Sequence, residues 1–109
     1  MKRGEIWTVA GGAAYAGKPR PAVIIQDDRF AATDSVLVCP VTSDPTEAPV
    51  FRIPVVPDDD NGLRQPCRLM VDKVAAVPRG RLRRRVGALG AEEMTYLNRA
   101  IVVFLGLGG

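Results

Sequence analysis

Lys18-Pro19-Arg20-Pro21-Ala22-Val23-Ile24-Ile25-Gln26 is the stretch on which the fold turns, a basic, proline-braced turn running straight into an apolar strand. Each proline fixes its own φ near about −65° and pushes the residue before it toward extended backbone, so Arg20 is held from both sides. A guanidinium on a stiff backbone loses less entropy when it grips an anion, and its planar fork suits phosphate oxygens. Pro21 has no amide proton and belongs at the first residue of a strand rather than in its middle. The stretch therefore puts one cation at the mouth of a buried strand, predicted over residues 22–26. Taken alone, its commoner meaning is a capped strand with a surface arginine.

Upstream, Glu5-Ile6-Trp7-Thr8-Val9 alternates at period two and predicts a first strand. Gly11-Gly12-Ala13-Ala14-Tyr15-Ala16-Gly17 is a small-residue loop carrying a lone aromatic. Downstream, residues 27–34 form a polar connection with room for one helical turn. Ser35-Val36-Leu37-Val38-Cys39 is continuously apolar and so predicts a central strand. Pro40 is expected to stop it, ahead of a hydroxyl-rich turn, Val41-Thr42-Ser43-Asp44-Pro45. Phe51-Arg52-Ile53-Pro54-Val55 predicts a fourth strand, which Pro54 assigns to an edge or a bulge.

Pro57-Asp58-Asp59-Asp60-Asn61-Gly62 is an acidic turn, expected as a solvated loop. Residues 68–77 make one long strand or two kinked ones. Five arginines crowd residues 78–85, a run whose ordinary role is a solvated face, and Val86-Gly87-Ala88-Leu89 predicts a last short strand. A helix then follows: Gly90 at its N-cap, Glu92 and Glu93 in the first turn where the dipole favours carboxylates, and Gly106 as its stop. Met94, Leu97, Ile101, Phe104 and Leu105 recur at helical spacing and are expected to pack on the core. Many short strands closed by one C-terminal helix predict a mainly β fold, a small, strongly curved sheet or barrel with the helix on it.

At 109 residues the chain is expected to form one domain over its whole length. Its 47% apolar content is too high for disorder, and no apolar run approaches the roughly 18 residues of a spanning helix. Met1-Lys2-Arg3-Gly4 leads into a strand pattern rather than a signal peptide. Cys39 and Cys67 lack CxxC spacing, and with no histidine in the chain neither a metal site nor a cofactor is expected. Both thiols are expected to be buried and reduced, as in a cytoplasm. The net charge of +3 favours a polyanionic partner, and no membrane partner is expected.

If the second and third strands are antiparallel neighbours, the start of one lies beside the end of the other. Arg20 and Thr42 then share a sheet edge, with Lys18 and the Tyr15 loop above them. A guanidinium, hydroxyls, a lysine and a ring make a site for single-stranded nucleic acid, the cations taking phosphate and the ring stacking a base.

Gly4-Glu5-Ile6-Trp7, Arg20-Pro21-Ala22-Val23-Ile24, Cys39-Pro40-Val41-Thr42-Ser43, Val71-Asp72-Lys73-Val74 and Val86-Gly87 with Glu92-Glu93-Met94 stand in that order along nearly the whole chain. Together they resemble the MazF/PemK family of toxin endoribonucleases. The resemblance implies an SH3-like barrel that forms a homodimer and is inhibited by a cognate MazE-like antitoxin. It also implies metal-independent cleavage of single-stranded RNA by attack of the 2′-hydroxyl, leaving a 2′,3′-cyclic phosphate and a 5′-hydroxyl. By the same resemblance Arg20 and Thr42 carry catalysis, while Tyr15, Lys18, Ser43, Asp72 and Lys73 contact RNA.

Several members of that family carry a glutamate before the arginine. This chain has no Asp or Glu between Ile6 and Gln26, and Tyr15 stands near that place. The proton acceptor is therefore open between a perturbed Arg20, Asp72, water and a group the sequence does not place. Two other functions share the fold. A gyrase poison of the CcdB type carries a tryptophan at its helix tip, whereas this chain reads Leu105-Gly106-Leu107-Gly108-Gly109 there. An SH3-like module that binds RNA or antitoxin without cutting is the other.

Overall fold

Every strand of the sheet is placed by reference to one, Ser35–Thr42. The computed structural model describes residues 1–11, 18–48 and 50–108. In chain order the described strands are β1 (Glu5–Val9), β2 (Arg20–Ile24), β3 (Ser35–Thr42), β4 (Arg52–Val55), β5 (Cys67–Met70), β6 (Ala75–Pro78) and β7 (Leu82–Ala88), followed by helix α1 (Ala91–Phe104). All pairings are antiparallel, in the order β4-β5-β3-β2-β1-β7, with β6 also on β3. The result is a mainly β, barrel-like fold with a C-terminal helix.

β3 is shared between partners. Ser35 to Val38 pair with β6, Val38 to Pro40 with β2, and Val41 and Thr42 with β5. Residues 39 and 40 thus have a neighbour on the β2 side only, so a residue without an amide proton breaks no ladder on the other. For that reason Pro40 does not stop the strand, which continues to Thr42. β2 likewise starts earlier than its sequence suggests, at Arg20, because Val9 of β1 pairs with it, and Pro21 lies inside the ladder opposite Thr8. It ends at Ile24, where Gln26 takes over with its side chain. Gln26 Oε1 accepts the Leu37 amide at 3.1 Å and Nε2 donates to Phe30 O and Thr33 Oγ1, both at 2.8 Å.

The alternation of β2 and β3 builds two cores. Val23, Cys39 and Val41 join Ile6, Leu69 and Leu97 under the helix, whereas Ala22, Ile24, Val36 and Val38 join Val9 on the other face. Strands covered on both faces need no polar side, which is why these two read as unbroken apolar runs. Trp7 is half-buried against the second core. β4 is the sheet's edge, where Pro54 is tolerated. Residues 68–77 divide into β5 and β6 around a 3-10 turn, Val71–Lys73. β7 begins at Leu82, inside the arginine run, because Val9 pairs with Leu82 and Trp7 with Arg85.

Two expectations need correction. The acidic turn is not merely solvated: Asn61 is fully buried there. The helical stripe is core only in part. Leu97 and Ala100 are buried and Met94 and Ile101 pack on the core, but Phe104 and Leu105 are exposed, because α1 outruns the sheet beneath it. Gly106, at φ +74°, closes the helix with bonds from its own amide to Val103 O (3.1 Å) and from Leu107 N to Val102 O (2.9 Å).

Glu5 ties β1 to β7. Burial alone would raise its carboxyl, but donors from Arg85 Nε (2.9 Å), the Lys2 amide (2.7 Å) and the Trp7 indole (3.1 Å) outweigh it and bring it to about 2. A carboxyl lower in the folded than in the unfolded chain stabilises the fold above its unfolded value, 4.5, and loses that contribution as pH falls toward 2. Glu5→Gln is therefore expected to melt lower than wild type at neutral pH and to converge with it between pH 4.5 and 2. Thermal melts across that range check it, and a constant gap between the two proteins would overturn it.

Candidate active site

β2 and β3 stay paired only as far as Ala22 and Pro40. Beyond that point β3 turns to β5, pairing Val41 with Leu69 and Thr42 with Arg68. One more alternation outward along the β2–β3 register puts Arg20 opposite Thr42 on the same face. The strands have parted there, and the split is a groove of about 310 Å³. One wall is Arg20 and Pro21 of β2, the floor is Pro40, Val41, Thr42 and Ser43, and the far wall is Gln65, Cys67 and Met70. The groove exists because one strand changes partners, a non-local event.

Thr42 Oγ1 accepts the Asp44 amide at 3.1 Å, so its oxygen caps the turn while its proton stays available to a ligand. The turn is braced in its own right. Asp44 accepts from Thr46 Oγ1 (2.7 Å) and Thr46 N (2.9 Å), which hold its carboxyl below the usual range. Arg68 reaches Glu47 Oε1 at 2.9 Å across the same loop. Arg20 is exposed, and among the described residues it has no ion-pair partner.

The thiols take no part as nucleophiles. Cys67 Sγ donates to Gln65 O at 3.2 Å and burial raises its pKa, while burial and the nearby Asp72 charge push Cys39 up to about 12. Among the described residues the groove wall holds no carboxylate. What remains is a cation and two hydroxyls facing an apolar wall with one amide on it, an arrangement that binds and polarises an anion.

Of the residues singled out from sequence, the groove unites Arg20, Thr42 and Ser43. Lys18 is exposed two residues ahead of Arg20. Tyr15 lies outside the described residues. Asp72 and Lys73 are in the 3-10 turn after β5 and do not line the groove. Nor do they pair with each other: Asp72 accepts both Nε (2.8 Å) and Nη2 (3.0 Å) of Arg52. That bidentate contact holds the Asp72 carboxyl low and makes it a poor proton acceptor. Gln65, Cys67 and Met70 carry no motif; the Thr42↔Arg68 register alone brings them in.

A second, larger hollow of about 480 Å³ lies between β4 and α1, lined by Val50, Ile53, Pro54, Tyr96, Arg99, Ala100 and Val103. Its lining is largely apolar, with the Tyr96 hydroxyl and the Arg99 guanidinium as its polar side-chain groups.

The chain resembles known proteins along nearly its whole length. Residues 2–105 match the family described as PemK-like, MazF-like toxin of type II toxin–antitoxin system. The chain is 51% identical to a probable endoribonuclease MazF of Mycolicibacterium smegmatis, with all of both chains covered. It is 30% identical to endoribonuclease MazF9 of Mycobacterium tuberculosis, covering 98% of each. Among solved structures it superposes on the Mycobacterium tuberculosis toxin MazF-mt6 with a TM-score of 0.78 at 26% identity, covering 94% of this chain and 96% of that one.

Proposed function

The chain belongs to the PemK-like, MazF-like toxin family of type II toxin–antitoxin systems, and from that premise we propose that it is an endoribonuclease cutting single-stranded RNA in the Arg20–Thr42 groove. The 2′-oxygen attacks the adjacent phosphorus, the bond to the 5′-oxygen breaks, and the products are a 2′,3′-cyclic phosphate and a 5′-hydroxyl that has taken up a proton. Charge grows on the equatorial oxygens as the attack proceeds. Arg20 grips those oxygens more strongly at that moment than in the resting diester, which is what lowers the barrier. Thr42 donates its free proton to the same phosphate, and Ser43 supplies a second hydroxyl. With Asp72 committed to Arg52, the 2′-hydroxyl proton passes to water, while Arg20 stays a cation on the phosphate.

The observation that carries this reading is that one groove holds Arg20 and Thr42, 22 residues apart in sequence, on the same face of two parting strands. The purified protein is expected to cut a mixed-sequence RNA in the presence of EDTA and to leave cyclic-phosphate ends. Intact RNA, or cleavage abolished by EDTA, would overturn it. Lys18 adds sequence-independent attraction for the RNA backbone; Asp72 and Lys73, which do not line the groove, and Tyr15 are assigned to RNA contact on the family resemblance alone.

A cognate MazE-like antitoxin is the expected inhibitor, as a type II system requires, and we assign the enzyme to the cytoplasm on the strength of the proposed RNA substrate. No described helix is long and apolar enough to cross a membrane. Tyr96, Val102, Val103, Phe104 and Leu105 leave an apolar surface on α1 beside the β4 edge. A second copy covers it in the homodimer we assign. Light scattering at micromolar concentration is expected to give a dimer for wild type and a monomer for Val103→Asp; a wild-type monomer would overturn the assignment.

A further inference from the structure

We infer that Gln65 reads a base next to the scissile phosphate and favours adenine there, an inference that rests on the groove being the RNA site. Gln65 stands on the wall facing Arg20 and Thr42. Its backbone is fixed from both sides: Pro66 restricts it to extended conformations, and its carbonyl accepts the Cys67 thiol at 3.2 Å. Its side-chain amide, by contrast, is exposed and has no hydrogen-bond partner among the described residues. A fixed backbone with an uncommitted amide is the condition for selective contact at low entropic cost.

The chemistry of the two walls divides the work. The cation and hydroxyls take the phosphate, which carries no sequence information. The facing wall is apolar at Met70 and Cys67, suited to the flat face of an unstacked base, and Gln65 is the polar side chain set among them. A primary amide presents a donor and an acceptor in one plane, which matches the adjacent N6–H and N7 of adenine. Single-stranded RNA exposes that edge because its bases are unstacked and splayed.

Mapping cut sites on a randomised RNA with wild type, Gln65→Ala and Gln65→Glu tests this. Wild type is expected to prefer adenine at one flanking position by about five- to a hundredfold. Gln65→Ala is expected to lose that preference while still cutting. Gln65→Glu, which can only accept, is expected to shift toward cytosine, whose amino group donates. Identical base preference in all three proteins would overturn the inference, as would a loss of cleavage in Gln65→Ala as deep as that of an Arg20 variant. If wild type cuts no RNA, the functional reading falls by itself. Fluorescence anisotropy with tetranucleotides varied at one base then decides Gln65: a preference displaced in Gln65→Glu sustains it, and binding indifferent to the base refutes it.

Discussion

Arg20→Ala is expected to lower RNA cleavage by about a hundred- to a thousandfold, the usual cost of removing one donor aimed at developing charge. The loss falls on the chemical step because the guanidinium does its stabilising when the phosphate oxygens carry most charge. Stability is expected to hold within about 0.5 kcal/mol, since the side chain is exposed and no described group depends on it. Arg20→Lys retains the charge but not the planar fork and is expected to recover only a fraction of the activity. Thr42 gives a matched comparison. Thr42→Ser keeps both the cap to Asp44 and the free proton, whereas Thr42→Val loses both. Single-turnover cleavage of one labelled RNA measures all four. Wild-type rates in Arg20→Ala would remove the groove from the mechanism while leaving the family assignment untouched.

Asn61→Leu is expected to have the largest effect on stability, about 3 kcal/mol or more. The side chain has no exposed surface, and its three hydrogen bonds all go to backbone. Its Oδ1 accepts from Asp58 N (3.1 Å) and Leu63 N (3.0 Å), and its Nδ2 donates to Val56 O at 2.9 Å. Leucine, of similar size, fills the space but strands three part-buried backbone groups, each costing up to about 1–3 kcal/mol where it stays unsatisfied. Part of that is recovered where water reaches them, so the net falls below the sum. For a domain of this size the melting temperature is expected to drop by roughly 10–20 °C. A shift under about 2 °C would overturn this account of the loop. Activity well below the melting point is expected to survive, because Arg20 and Thr42 are held by β2 and β3 rather than by this loop. The Arg20 and Asn61 variants thus separate chemistry from folding.

The same loop shows why a sequence can mislead. Three aspartates and a glycine describe a solvated turn, and Asp59 is indeed exposed. Yet Ala88 donates its amide to Asp60 O at 2.9 Å, and the backbone at Asn61 lies so close to β7 that a side chain at Gly87 would collide with the carbonyls of Asp60 and Asn61. Gly62 adopts φ +68° against Val86 in the same contact. Nothing near residue 61 in sequence announces a partner some 26 positions later. The helix shows the converse. Its start, stop and spacing follow local rules and were all legible, but where the sheet beneath it ends is not a local property, and Phe104 and Leu105 emerge from cover there.

Local chemistry in the sequence determined the family, the mainly β fold with its closing helix, and the two residues on which cleavage is proposed to depend, because motifs in order and apolar periodicity are properties of neighbours along the chain. The tertiary structure alone decided that β3 leaves β2 for β5 and so opens a groove between Arg20 and Thr42. It alone supplied Gln65 and Met70 as the facing wall and bound Asp72 to Arg52. The physical reason is that strand pairing is chosen by distant segments competing for the same backbone edge. The register that results assigns side chains to a site without leaving any mark at the positions it selects.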